Sequence, residues 1–429
     1  MAELTGAYIN VLSDKTLAIE PGSRGTVAIA LPLTWYKDGT LTAFDADGDA
    51  KAAFGQTLDK IMELREIMKN ARRVLVYPTK TGGTAATGTL VSGVTATAAK
   101  LGTAGNGITV TVAASGDLWR IKTFLGADVV DSQMVSGFGD FQANEWVSIS
   151  GTGVISTATV QLANGADGSE ADDPYGDFLA ALKKEEFNVI AYTGSEASVM
   201  TKIAEYVKSE REDEDKFIQA VMGGKEADYE GIISYANGVV LEDGTTLTKY
   251  QASAWLAGAT AAAGITDSLT YGGPERKFVY SGAVDVSPRM TKSQLKANKD
   301  KGLGCFLLNN GKVKVESDIN TLVTYTTAKQ KDFSKNRVLR VIDAVCGDIK
   351  AVFDTSYAGA ESNNLAGRNR FKASICDYLT ALQDQGALEN FKAEDVTVSA
   401  GAEKDIVVVG LKIQPVDAME KAHVTVRVR

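Results

Sequence analysis

His423 is the only histidine among 429 residues, and that single count limits the available chemistry more than any other feature of the sequence. A Ser-His-Asp triad needs an imidazole held rigidly between an acid and a nucleophile. His423 lies in Ala422-His423-Val424-Thr425-Val426-Arg427, an alternating stretch close to the last residue. Such a strand end is a poor mount for a general base, since catalytic geometry has to be held by packed neighbours. Cys305, Cys346 and Cys376 each stand in an apolar run and form no CxxC. Three cannot pair off, so buried free thiols are expected. With one histidine and scattered cysteines there is no zinc constellation either. No catalytic residue, metal ligand or cofactor site is therefore assigned.

Two segments imitate functional motifs. Gly102-Thr103-Ala104-Gly105-Asn106-Gly107 has the glycines of a phosphate loop but not the Gly-Lys-Ser/Thr ending or a following helix, and reads as a turn between strands. Asp45-Ala46-Asp47-Gly48-Asp49 begins like a calcium loop, yet Ala50 stands where glycine is required and Gln56 where glutamate is required. The acidic run at 210–215 is expected to be a solvated helix end. A chain without an acid–base pair or metal cluster is better suited to scaffolding than to catalysis.

The composition agrees with a folded protein. Hydrophobic residues make up 44% and charged residues 23%, and 42 glycines against seven prolines point to many tight turns. The length implies two to four domains. A net charge of −9 argues against a protein that coats nucleic acid. No stretch approaches the ~20 apolar residues of a membrane span. The first residues lack the basic and apolar regions of a secretory signal, so synthesis and folding in the cytoplasm are expected.

Hydrophobic periodicity supplies the elements. Residues 1–25 read as an extended arm in which Tyr8, Ile9, Asn10 and Val11 have strand character. Residues 26–80 predict a small α/β segment. In it Phe54, Leu58, Ile61, Leu64 and Met68 form one face of a helix across 51–70. From 81 to 165 the sequence is rich in Thr, Gly, Ala, Val and Ser with short alternating runs, the pattern of an inserted β-sandwich. Residues 166–310 return to strands alternating with helices, starting at the Asp173-Pro174 helix signal, and predict a doubly wound parallel core that includes 238–241. The Asn309-Asn310-Gly311 turn predicts a hairpin at the start of a C-terminal α+β domain, 311–420. A final arm, 421–429, alternates apolar residues with Thr and Arg. The fold class expected is a multidomain α/β protein.

Several segments resemble contractile phage tail sheath proteins. The longest is Val315-Glu316-Ser317-Asp318-Ile319-Asn320-Thr321-Leu322-Val323-Thr324, leading into Asp332-Phe333-Ser334-Lys335-Asn336-Arg337-Val338. Ile413-Gln414-Pro415-Val416-Asp417-Ala418-Met419-Glu420-Lys421 is similar to the family's C-terminal element, and Gly6-Ala7-Tyr8-Ile9-Asn10 to its N-terminal one. The resemblance spans most of the chain and is weakest from about 80 to 165. It implies a subtilisin-like α/β core, a fold label that carries no protease activity without a usable triad. It further implies a homo-oligomer, six-fold rings stacked helically around an inner tail tube. Baseplate and tail terminator proteins would be the other partners, with no nucleic acid bound directly and no membrane insertion by this subunit. The product would be part of a virion or a released bacteriocin-like particle.

Two surfaces follow from that resemblance. The terminal arms would add strands to neighbouring subunits, using Tyr8, Ile9, Asn10 and Val11 at one end and His423, Val424, Thr425 and Val426 at the other. Residues 291–380 carry 15 Lys+Arg against nine Asp+Glu, which leaves −15 for the rest of the chain. Lys335, Arg337, Arg340, Arg368, Arg370 and Lys372 are expected to form a basic surface facing an acidic tube. Two rival expectations are a subtilisin-like hydrolase built on His423 and a surface-binding structural protein that stacks sugars on Trp119 and Trp146.

Overall fold

A computed structural model describes Ile19, Gly22 and residues 24–428. The arm residues Tyr8, Ile9, Asn10 and Val11 lie outside the described residues. Two compact units divide the chain: Arg24–Asn336, and Arg337 onward together with Ile19 and Gly22.

Runs of Val, Ile, Leu and Ala that are apolar at every position suit strands covered on both faces. The first unit is built on such runs. Its central sheet has the order Ile232–Tyr235, Gln219–Gly223, Val189–Tyr192, Thr26–Leu31, Arg73–Pro78, Thr42–Asp45. The first five strands are parallel and the last is antiparallel to its neighbour. Side-chain alternation splits each strand between two cores. Val27, Ile29, Val74, Val76, Val189 and Val221 face one core with Leu64 and Ile67 from helix Met62–Met68 and Trp255 and Leu256 from helix Ser253–Ala262. Ala28, Leu75, Ile190 and Met222 face the other with Phe178 and Leu182 from helix Pro174–Leu182 and Ile203 and Val207 from helix Ala197–Glu212. Each buried aliphatic side chain contributes about 1.5–3 kcal/mol, so these two layers hold the helices to the sheet. Asp173 caps its helix as expected, accepting the Gly176 N–H at 3.0 Å, with Pro174 in the first turn.

The single helix expected across 51–70 is broken. Helix Ala50–Phe54 ends at Gly55, which is left-handed at φ 73°, and a 3-10 turn at Leu58–Lys60 precedes Met62–Met68. A Cβ at Gly55 would lie 2.8 Å from both Ala104 Cβ and Trp35 Cβ, so close packing holds the break open only for glycine. Phe54, Ile61 and Leu64 still enter one core, which is why their spacing imitates a continuous helix.

The insertion forms two facing antiparallel sheets. One has Val147–Gly151, Val94–Ala98 and Thr87–Val91, the other Ala158–Gln161, Ile108–Ser115, Leu118–Leu125 and Asp128–Val135. Trp146 is 4% exposed and stacks on Trp35 at 5.8 Å, and Trp119 packs against the sandwich core. Trp146 is thus part of the packing between the sheets and the chain leading into them and offers no face to a sugar.

Two further expectations are corrected. Gly238–Leu241 does not extend the parallel core; it pairs antiparallel with Thr246–Leu247 and Ala283–Ser287. Of the three thiols only Cys305 is buried; Cys346 is exposed and Cys376 is half-buried. The hairpin Phe306–Asn309 and Lys312–Val315 turns on Asn310 and Gly311, both at positive φ, as the Asn-Gly signal requires. Phe306 joins Trp255 and Tyr280, whose rings stack at 4.3 Å, so the hairpin belongs to the first unit and the division falls after Asn336.

The conspicuous run 315–336 is a polar clasp. Asp318, 2% exposed, accepts the Leu269 N–H at 3.1 Å and the Asn336 side-chain amide at 2.8 Å. Asn320, fully buried, donates to the Phe333 carbonyl at 2.8 Å and accepts the Leu322 N–H at 3.1 Å. Thr321 donates to the Tyr229 carbonyl at 2.9 Å, and Asp228 accepts the N–H groups of Val323 and Thr324 at 2.7 and 2.8 Å. Lys329 reaches the buried Glu230. A segment with little regular structure is thereby pinned through its backbone groups, which burial would otherwise leave unpaired.

Gly258 lies in helix Ser253–Ala262 where a Cβ would meet the Ile67 carbonyl oxygen at 2.3 Å. Gly258→Ala is expected to push the two helices apart and lower stability by about 1–3 kcal/mol, measurable by urea unfolding. Asn320→Ala leaves the Phe333 carbonyl and the Leu322 N–H without that partner. A loss of about 1–3 kcal/mol is expected, with faster amide exchange across 322–336 in mass spectrometry.

Candidate functional site

The second unit begins on helix Asn336–Val352, continues through a π-helical turn Phe353–Tyr357, and returns along helix Leu365–Asp384. Asn364 caps the second helix by accepting the Gly367 N–H at 2.9 Å. Phe371 on that helix contacts Tyr357 and Phe353 at ring separations of 4.6 and 5.5 Å. The helix also packs against Val396–Ala400, which among the described residues pairs only with Val407–Leu411. Two strands alone are marginal, and both outer edges of such a ribbon carry backbone groups that a further strand can use.

Beyond that ribbon the chain is held briefly. Lys412 donates to the Asp395 carbonyl, Gln414 accepts from Glu389, and Val416 donates to the Ala387 carbonyl. Residues 418–428 then carry no helix or strand. His423 is exposed, and Val424, Val426 and Val428 are 81%, 78% and 92% exposed. The strand expected at 424–428 is therefore an alternating segment with no ladder in its own chain among the described residues. An exposed side chain on such a segment lacks the packed mount that a catalytic base needs, and among the described residues no group of three or more His, Cys, Asp or Glu could hold a metal.

The opposite end of the chain enters the same unit. Gly22 donates its N–H to Asp348 Oδ1 at 3.0 Å, and Tyr378 donates to Asp348 Oδ2 at 2.5 Å. This anchor, invisible in the sequence because its partners lie 326 residues apart, ties the root of the N-terminal segment to the first helix of the unit. Burial pushes the Asp348 carboxyl above the ordinary aspartate range, and the hydrogen bonds from Tyr378 and Gly22 only partly oppose it.

The expected basic surface is only partly a surface. Arg340 is 2% exposed and so cannot face a partner; its stem and guanidinium are enclosed where the helical stripe turns inward. Arg370 makes a two-point contact with Glu361 at 2.6 and 3.0 Å, and Arg368 holds the Asn363 carbonyl and side chain. Lys335, Arg337 and Lys372 are half-buried. Arg368 and Lys372 share a face of their helix at i, i+4, while Arg370 points away from it.

Because the folded state holds Asp348 protonated to higher pH than the unfolded chain does, this group's contribution falls as pH rises from about 4 through the raised folded value. Asp348→Asn should flatten that part of the stability profile, read as melting temperature between pH 3.5 and 7. An unchanged slope would show that Asp348 does not set it.

With this geometry in view, two family models match the chain: phage tail sheath protein central domain over residues 168–321, and phage tail sheath C-terminal domain over residues 328–429. The phage-like element PBSX protein XkdK of Bacillus subtilis (strain 168) is 34% identical, over 99% of this chain and 97% of its own length. A crystal structure of the sheath tail protein from Desulfitobacterium hafniense is 37% identical with a TM-score of 0.82, covering 99% of this chain and 100% of the other. The helical sheath of the anti-feeding prophage in its contracted state shares the fold, with a TM-score of 0.59 over 100% of this chain and 99% of the other at 16% identity. Full-length similarity of this kind, over a mixed α/β multidomain fold, shows that the chain belongs to the phage tail sheath family.

Proposed function

We propose that this chain is the sheath subunit of a contractile tail or tail-like injection particle. Its copies polymerise as stacked six-fold rings around an inner tube and contract to drive that tube through a target envelope. The observation that carries the reading is the run Val424, Val426 and Val428, three alternating valines at 78–92% exposure, in the same unit as a ribbon that has two strands among the described residues. Apolar alternation without a sheet partner fits a segment that finds its ladder on another subunit. The N-terminal residues Tyr8, Ile9, Asn10 and Val11 would act as the second arm, leaving from the Gly22–Asp348 anchor.

The mixed sheet of the first unit, flanked by helices on both faces, supports the subtilisin-like label for the core, with the sandwich as an insertion in it. Of the expected basic surface, Arg337, Arg368 and Lys372 of the second unit would face an acidic tube. Exposed ion pairs of about 0–1 kcal/mol each would hold register yet release on contraction. Baseplate and terminator proteins would close the two ends of the lattice, and assembly would precede release from the bacterial cytoplasm.

Negative-stain microscopy tests the reading. Purified full-length chain should form striated tubes at high concentration. A chain ending at Lys421 should keep its circular dichroism and melting temperature but form none, because each strand contact of ~5 bonds at about 0.5–1.5 kcal/mol is lost from every subunit at once. Tubes that persist after the truncation would remove the C-terminal arm from the mechanism.

A further inference from the structure

Within the first unit, the inserted sandwich meets the core at a cavity of about 540 Å³. Residues 42–53 supply the core side, and Lys100, just past strand Val94–Ala98, supplies the sandwich side together with Glu145. Lys100 donates to the carbonyls of Ala52 and Ala53 at 2.9 and 2.8 Å, and its ammonium stands 5.8 Å from the centre of the Trp35 ring. An ammonium has three N–H donors, so one remains beyond those two bonds. Lys37 lines the same space, and among the described residues neither lysine has a carboxylate within ion-pair distance. Burial, and after it the charge of Lys37, push the Lys100 ammonium down to about 8 against an opposing pull from Glu145. Asp47 and Glu145 are exposed at the cavity and have no cation partner among the described residues, whereas Asp49 is occupied in capping helix Ala50–Phe54. Between these charges the lining includes the small side chains of Ala43, Ala52, Ala53 and Ala99.

We propose that this cavity binds a small zwitterion, an amino acid whose carboxylate meets Lys100 and Lys37 and whose ammonium meets Asp47 and Glu145. A simple anion would be repelled by the two carboxylates, and a simple cation by the two lysines. A molecule that carries both charges satisfies all four groups, and a short aliphatic link between its ends suits the alanine lining. The volume falls within the ~300–1,000 Å³ range of small-molecule sites, so ligand and ordered water both have room. Core and sandwich each contribute one cation and one acid, since Lys37 and Asp47 precede the insertion while Lys100 and Glu145 lie in it. Occupancy would therefore tie the insertion to its mount. The site belongs to the first unit alone and does not rest on the sheath reading.

Titration calorimetry on the full-length chain tests this with glycine, β-alanine and 4-aminobutanoate, against acetate and methylamine as single-charge controls. At least one zwitterion should bind with a Kd of about 1 mM or tighter, and at least about tenfold more tightly than either control. Lys37→Ala and Asp47→Asn, both at exposed positions, should each weaken that binding about tenfold while the melting temperature stays put, the loss expected for one charge-assisted contact. At about pH 8.5 binding should take up protons, because a carboxylate beside Lys100 favours its charged form. That uptake, read from the dependence of the heat on buffer, should vanish in Lys100→Met; if Lys100→Met does not fold, the two exposed variants decide. Controls that bind as tightly as every zwitterion, parent-like affinity in both exposed variants, or no binding of any probe at about 10 mM would each overturn the site. None of these results bears on tube formation, so the site can fail while the sheath reading stands.

Discussion

The buried carboxylate of Asp318 is the constraint on which the closing stretch of the first unit depends. It sits where the chain leaves the hairpin of the first unit, and it takes the Leu269 N–H and the Asn336 amide into one site. A buried acid without such donors would cost several kcal/mol, so the site forms only when loop, hairpin and helix start are all in place. Asn320, Thr321 and Asp228 extend the same logic over the next residues. The result is an irregular segment pinned through its backbone groups as a strand is by its ladder.

The two units differ in how completely they satisfy themselves. The first closes both faces of its sheet with helices and gathers its aromatic residues around Trp255. Among its described residues the second presents a two-stranded ribbon, a cavity beside it and exposed valines. Unfilled apolar and backbone capacity of this kind is a liability in a monomer and the substance of a lattice. In the proposed sheath, weak contacts repeated on every subunit would sum to a large total, while each remained small enough to rearrange. The work of contraction would then reside between subunits.

Residues whose chemistry is local were legible without coordinates. Asp173-Pro174 starts a helix and Asn310-Gly311 closes a hairpin because both signals act over a few residues. The runs at 27–31, 74–77 and 189–192 are apolar at every position, the pattern of strands buried on both faces. The motif around 315–338 marked the family, and the lone histidine offered no triad. What misled was periodicity taken without packing: 51–70 has helical spacing, but Trp35 and Ala104 crowd Gly55 and break the helix. Gly238–Leu241 looks like its parallel neighbours because residue types do not encode strand direction.

The sequence by itself thus determined the family, the α/β class, the inserted sandwich and the apolar alternation at 424–428, since each is written in neighbouring residues. Only the tertiary structure decided that Arg340 is enclosed while Lys372 keeps a partly open face, because burial depends on what packs over a helix and not on its charge. It alone joined Gly22 to Asp348 across 326 positions and left Val424, Val426 and Val428 outside any ladder formed by the described residues of their own chain. Pairing between distant segments is a property of the folded surface, and no spacing rule along the chain contains it.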